Sequence, residues 1–439
     1  MTRVATSTAR LPDWSSLSER GRVAALEQCR RRLADLGRKL HAVEHIYHAE
    51  APGQGPLSGL PYVAKDMFAT GRSLPSWGCA TPQAPALPRA SVIDRLDQAG
   101  ACLIGTATMT ELAYEASGTG RRGALNPWRF DMIPGGSSTG SAILVAAGCC
   151  FAALGSDTAG SVRIPAHCCG VSALKPGNGK IPLDGAMPLA PSLDTAGIFA
   201  RSAADLALLW PVVSGETQVS SDGPLRAVML QDALDASDGE IAAVVRGAAN
   251  VLAASGIAIE ERSGFPEDAD RQTLVVLQAE ATREHRLRIE DPNIDPTLRK
   301  RLRKGLSVSD SELASALAAR EELRGQFVLS YLGEADVAIL PVMPIRTPRI
   351  AEVDPASADF NPRVLYALSR FTRFANYFGL PALAAPAGFD SRGMPVGLQM
   401  IGRPGSEALL LRIAVRLQER TDWHGRVPAE VPSDIAAEP

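Results

Sequence analysis

The stretch Pro134 to Pro165, PGGSSTGSAILVAAGCCFAALGSDTAGSVRIP, carries two Gly/Ser clusters, GGSSTGS at 135–141 and GSDTAGS at 155–161. An apolar run lies between them. Small residues let a backbone approach a ligand closely, and serines add hydroxyls that donate and accept. A plain core segment has no use for such clusters at both ends. The stretch therefore reads as an active site with two serines on adjacent turns. Residues 141–148 read as a buried helix whose N-terminus carries the first cluster, with free N–H groups toward the site. Residues 151–154 read as a buried strand leading into the second.

Working outward, strand and helix patterns alternate, which indicates an α/β chain with a mixed or parallel core sheet. Residues 15–36 read as a helix with basic residues toward its end. The run LPYVAKD ends an apolar strand on Lys65. Taken alone, that lysine reads as a charge snorkelling to solvent; the other reading is a buried, neutral base. Residues 90–105 read as helix, Gly stop and strand, and TATMTELAYE as the start of another helix. The stretch 170–200 is turn-rich. Helices are expected at about 202–213, 239–255 and over much of 271–330, with a strand at 256–261. DVAILPV at 336–342 suits a central strand and 362–379 a helix. ALAAPAGF and PVGLQMIG suit paired strands, and 406–420 a closing amphipathic helix. No internal repeat or long linker is visible, so one domain spanning 1–439 is expected.

Composition narrows the function. The chain has 439 residues and a net charge of −3, with 46% hydrophobic and 21% charged residues. No basic surface speaks for nucleic acid or an anionic membrane. The longest apolar run, 142–154, is too short to span a bilayer, and the N-terminus lacks the apolar region of a signal peptide. Seven cysteines without CxxC spacing suggest buried thiols in a reducing, cytoplasmic setting. His41, Glu44 and His45 form H-x-x-E-H, a pattern of one zinc peptidase class. No third ligand or helical cap accompanies it, so it reads as a His-rich surface or strand edge.

Four serine chemistries compete. Gly136 to Gly140 matches G-x-S-x-G around Ser138, but NPWRFDMIP before it is no buried strand, and only His167, His285 and His424 follow. Ser172 to Lys175 matches S-x-x-K, without a later S-D-N or K-T-G, and Pro176 ends any helix there. A chymotrypsin- or subtilisin-like triad lacks an Asp and a His in suitable contexts. The fourth uses Ser161, Ser137 and Lys65: a neutral lysine removes the nucleophile's proton through a second serine. Consecutive amides after Asp157 offer an oxyanion hole, worth about 3 kcal/mol per donor. Pattern alone does not join Lys65 to the serines.

These residues resemble the amidase signature enzymes. GGSSTGSA and GSDTAGSVRIPA are similar to that family's two serine runs, and the 24 residues from Ser137 to Ser161 agree with its catalytic pair. LPYVAKD resembles its lysine strand. The likeness runs from about Leu57 to Trp423. It implies a signature core at about 57–200, a variable, mainly helical substrate side at about 215–330, and a return to the core at 331–425. The implied fold is α/β: a single large domain with a central mixed β-sheet covered by helices on both faces. The resemblance makes Ser161 the acyl-enzyme nucleophile, Ser137 the relay after a cis peptide bond from Gly136, and Lys65 the base. The amides of Thr158, Ala159, Gly160 and Ser161 form the oxyanion hole; Ser138, Ser141, Asp157 and Arg163 support it. Ala159 departs from the commoner Gly and is strained if its φ is positive. The implied activity is cleavage of a small amide without metal or cofactor. Carbamate, urea or ester hydrolysis by the same residues, or glutamine hydrolysis as one component of an amidotransferase, are the alternatives. Met67, Phe68, Met109, Tyr114, Met187 and Leu189 are candidate pocket walls for an apolar or aromatic substrate. A homodimer is the default expectation.

Overall fold

Period-two alternation on the second strand sets the layers of the computed structural model, which describes residues 13–48, 53–80, 87–216 and 223–429. The polar lead at 1–12 and the end of the His-rich stretch lie outside these residues. Eleven strands form one mixed sheet among the described residues: β1 (Val43–Ile46), β2 (Pro61–Lys65), β3 (Cys102–Ala107), β4 (Ala152–Asp157), β5 (Ser172–Lys175), β6 (Thr195–Ala200), β7 (Arg226–Leu230), β8 (Ala258–Arg262), β9 (Val337–Pro341), β10 (Ala382–Phe389) and β11 (Pro395–Gly402). Their order across the sheet is β1-β3-β2-β4-β6-β5-β10-β11-β9-β7-β8. On β2, Tyr62 and Ala64 enter one apolar cluster while Val63 enters another, with Ala153 of β4. Successive side chains point to opposite faces, so both faces of the sheet are covered.

The helices include α1 (Glu19–Arg32), α2 (Ser91–Gln98), α3 (Thr139–Ala146) and α4 (Arg163–Cys169), and the last two adjoin the site. The apolar positions of α2 join the Tyr62 face, whereas α3 and α4 pack on the Val63 face. α3 is buried along its whole length, which explains a sequence that is apolar all round. α4 ends at Gly170 in the left-handed conformation, the usual role of a terminal glycine.

The paired strands expected at the C-terminus are β10 and β11, antiparallel from Ala382↔Ile401 to Phe389↔Pro395. β9 is buried throughout but third from the sheet edge, beside β11 and β7. Three expectations need correction. The turn-rich stretch 170–200 holds two inner strands, β5 and β6. Both are buried on both faces, so no polar alternation marks them. The helix expected from TATMTELAYE is only a turn at Glu111–Ala113, where Leu112 and Ala113 have φ of 51° and 58°. There Thr110 N–H donates to Ser137 O (3.2 Å) and Leu112 N–H to Trp77 O (2.9 Å) instead of building a helical ladder. The single helix expected at 362–379 is two, Pro362–Leu368 and Arg373–Tyr377. At the break the Phe371 carbonyl accepts from Gln399, and the Thr372 carbonyl accepts from Arg163 as well as from Ala375 N–H.

Gly155 illustrates how tightly β4 packs. A Cβ there would lie 2.6 Å from the Phe199 ring and 2.8 Å from Ser138 Oγ. Gly155→Ala is expected to destabilise the fold by about 1–3 kcal/mol, the usual range for overpacking. A melting temperature equal to that of the wild type would contradict this.

Candidate active site

β2 runs parallel to β4, in the register Tyr62↔Ala152 to Ala64↔Leu154. Their carboxyl ends therefore open on one side, the usual position of a site in α/β sheets. This places Lys65, at the end of β2, beside the loop that follows Asp157. Ser137 arrives from a third direction, on the segment leading into α3.

The contacts join these pieces. Lys65 Nζ donates to Ser137 Oγ (2.7 Å) and to Ser156 Oγ (2.8 Å), and Lys65 and Ser137 are wholly buried. The snorkelling reading of Lys65 is thus excluded. Burial, opposed by the charges of Asp157 and Asp194, lowers the Lys65 pKa to about 7. The peptide bond between Gly136 and Ser137 is cis. Ser138 N–H donates to Ser161 O (3.2 Å), which ties the two serine loops together. Ser161 Oγ makes no hydrogen bond among the described residues, and at 8% exposure Ser161 is the most accessible of the three.

The supporting residues pin these loops. Ser138 Oγ donates to Ser156 O (3.1 Å), and Ser141 Oγ to Leu154 O (2.9 Å). Asp157 and Arg163 form an ion pair at 2.8 Å with no exposure of either side chain. Burial alone would raise the Asp157 pKa, but the Arg163 guanidinium holds its carboxyl well below the usual range. Gly160 N–H donates to Asp157 Oδ1 (2.7 Å). Of the four amides expected in the oxyanion hole, that one is engaged, whereas those of Thr158, Ala159 and Ser161 carry no such bond among the described residues. Ala159 does not have a positive φ, so the strain considered for it does not arise. The positive φ, 126°, belongs to Gly160, where a Cβ would lie 2.2 Å from Thr372 Oγ1.

Several members of the site were not found by the sequence reading. Ser156 is the second partner of Lys65. Arg163 Nη1 donates to Thr372 O (2.8 Å) and Gln399 Oε1 (2.6 Å), and Nη2 to Asn376 Oδ1 (2.6 Å). Asp194 accepts from Thr158 Oγ1 (2.6 Å) and from the amides of Leu189 and Ala190. It thereby couples the turn at 187–190 to Thr158, at the end of β4. The only sequence signal for these was a polar residue inside an apolar run.

The rival chemistries are not assembled. Lys175 is buried, with a pKa lowered to about 7 chiefly by burial, but its amine donates to Pro176 O. A carbonyl cannot pass a proton on, so this lysine lacks the serine that Lys65 has. His167 Nδ1 accepts from Gly397 N–H, and burial lowers its pKa to about 4. His41, Glu44 and His45 lie at or beside edge strand β1, and Glu44 pairs with Arg122. Among the described residues no group of His, Cys, Asp or Glu could hold a metal, and no helix is long and apolar enough to cross a membrane. None of the seven cysteines forms a disulfide, and all are buried.

Met67, Phe68, Met109, Met187 and Leu189 share one buried cluster. Met187 N–H donates to Met67 O (3.2 Å), so the 187–190 turn packs against the residues after Lys65. Tyr114 packs on that cluster and also lines a separate cavity of about 520 Å³.

Comparison with known proteins agrees with this architecture. The Amidase family model matches residues 38–411. A glutamyl-tRNA(Gln) amidotransferase subunit of Nitrosococcus oceani is 34% identical over 427 residues, covering 86% of this chain and 87% of that one. The 2-amino-5-chloromuconic acid deaminase of Comamonas testosteroni is 32% identical over 385 residues, covering 83% and 82%. Among solved structures, an amidase matches with a TM-score of 0.83 at 30% identity, over 91% of this chain and 96% of the other. A 6-aminohexanoate cyclic dimer hydrolase in complex with its substrate matches with a TM-score of 0.81 at 26% identity, over 93% and 95%.

Proposed function

The chain belongs to the amidase signature family and is a hydrolase of carbon–nitrogen amide bonds, and we propose that it cleaves a small apolar or aryl/alkyl amide through a Ser161 acyl-enzyme. The observation that carries the mechanism is the wholly buried Lys65 amine bonded to Ser137 Oγ at 2.7 Å. A lysine whose pKa falls to about 7 is available as a neutral base at physiological pH. Ser161 Oγ attacks the amide carbonyl while its proton passes to Ser137 and the Ser137 proton to Lys65. The oxyanion collects the amides of Thr158, Ala159 and Ser161. The relay then returns a proton to the leaving nitrogen, the C–N bond breaks, and water repeats the path to release the acid. No metal or cofactor takes part. Met67 and Phe68, which follow Lys65 in the chain, pack in one apolar cluster with Met109, Met187 and Leu189, which favours an apolar group next to the scissile carbonyl.

The likeness to glutamyl-tRNA(Gln) amidotransferase subunits favours a second reading, in which glutamine is hydrolysed in the presence of partner proteins. A panel of alkyl and aryl amides, esters, carbamates and glutamine, followed by product release, separates the two. Turnover of hydrophobic amides by the isolated chain supports the first; activity on glutamine alone overturns it. The same assay tests the base. kcat/KM is expected to rise as pH passes through about 7, because the depressed Lys65 loses its proton there, and to stay high in mild alkali. A maximum near pH 5 would instead identify a carboxylate base.

A further inference from the structure

The cavity of about 520 Å³ lies between the 110–121 segment and the Pro296–Lys304 helix, and its wall includes Thr110 and Ser117. Thr110 N–H donates to Ser137 O, and Ser117 O accepts from Gly135 N–H (3.1 Å). The cavity therefore rests against the backbone that carries the relay serine. Tyr114 and Leu298 give it apolar surface, and Glu111, Glu115, Arg121 and Arg301 give it charge. Arg301 is occupied by an ion pair with Glu115.

Glu111 is different. It is only 5% exposed. Its Oε2 accepts from Asp295 N–H (2.8 Å), but its Oε1 has no hydrogen-bond partner among the described residues. The nearest cation, Arg121, is 39% exposed and stands 3.7 Å away. A buried carboxylate oxygen without a donor is unfavourable, and burial raises the Glu111 pKa accordingly. A donor that enters the cavity would remove that deficit. With Asp295 and Asp354, the lining holds four carboxylates against two guanidiniums, so a cationic donor suits it better than an anion.

We propose that this cavity receives the far arm of the amide substrate and selects one that ends in a protonated amine, held by Glu111 Oε1 with its methylenes along Tyr114 and Leu298. The inference rests on the amide-hydrolase reading above and narrows its alkyl amides to those with an apolar chain next to the scissile carbonyl and an ammonium at the far end.

The test compares amides matched in length but ending in ammonium, methyl or carboxylate: ω-aminoalkyl amides of increasing length, 5-aminopentanamide among them, beside hexanamide and adipamate. The wild type is expected to favour the ammonium-ended member over its methyl isostere by about tenfold or more in kcat/KM, the discrimination a buried polar group gives, and to reject the carboxylate. In Glu111→Gln the ammonium-to-methyl ratio is expected to fall toward one. Calorimetric binding of the same compounds to Ser161→Ala should show the same order without turnover. No ammonium preference in either assay, a preference for carboxylate, or a preference that survives in Glu111→Gln overturns the inference. If Glu111→Gln does not fold, the wild-type ratios decide. Preferential binding without hydrolysis would overturn the proposed chemistry but not the cavity assignment. Hydrolysis of hexanamide without ammonium preference would do the reverse.

Discussion

Ser161→Ala is expected to lower kcat by about 10⁴-fold or more, the scale on which serine hydrolases lose activity without their nucleophile. Uniform loss of binding cannot mimic this, because in the proposed mechanism the missing oxygen is the one that forms the bond. The protein should fold as before: Ser161 Oγ makes no hydrogen bond among the described residues, so removing it strands no partner. A change in unfolding free energy within about 0.5 kcal/mol is expected. With a slowly hydrolysed ester, mass spectrometry should show an acyl adduct on the wild type and none on the variant. Full activity in Ser161→Ala would refute the assignment and direct attention to Ser138. That serine is a poor nucleophile here, since it is wholly buried and its hydroxyl donates to Ser156 O.

Arg163→Met should have the largest effect on stability. The Arg163 and Asp157 side chains have no exposure, and the guanidinium also serves Thr372 O, Gln399 and Asn376. Removing one partner of a buried pair leaves the other charge uncompensated, at about 3–5 kcal/mol. Lysine would not replace it, because an ammonium cannot reproduce the planar fork. Asp157 also accepts from Gly160 and Val162 N–H, so a displaced carboxylate disturbs the loop at 158–162 that carries the proposed nucleophile, and kcat should fall with stability. Removing the guanidinium takes away the main opposition to burial and leaves Lys175, Asn376 and backbone N–H groups, so the Asp157 pKa rises. Ionisation of Asp157 then stabilises the variant less than the wild type, a difference that is lost as pH falls through the raised pKa. The deficit of the variant should therefore narrow in acidic solution. Denaturant unfolding across pH measures this. A variant as stable as the wild type at neutral pH would show that the ion pair is dispensable.

The two Gly/Ser clusters, the apolar strand before Lys65, and the C-terminal strand pair were legible because local composition and period carry them. β5 and β6 were not, since strands buried on both faces lose the alternation that identifies them. The break between the helices at 362–379 was hidden for a related reason. Its local pattern permits one helix, but Arg163 and Gln399 donate to the carbonyls of Thr372 and Phe371.

The sequence by itself determined which residue types were available: two serines on small-residue turns, a lysine ending a buried strand, and an Asp and an Arg on one loop. Only the tertiary structure decided which lysine faces a serine. Lys65 and Lys175 are both buried and both depressed to about 7, yet one meets Ser137 and Ser156 and the other a carbonyl. Asp157 is near Arg163 in the chain, but the other partners of Arg163, Thr372, Asn376 and Gln399, lie 209 to 236 residues away. Periodicity reports which face of an element is buried. It does not report what lies across the sheet from that face, because that is set by strand order and register, which involve residues distant in the chain.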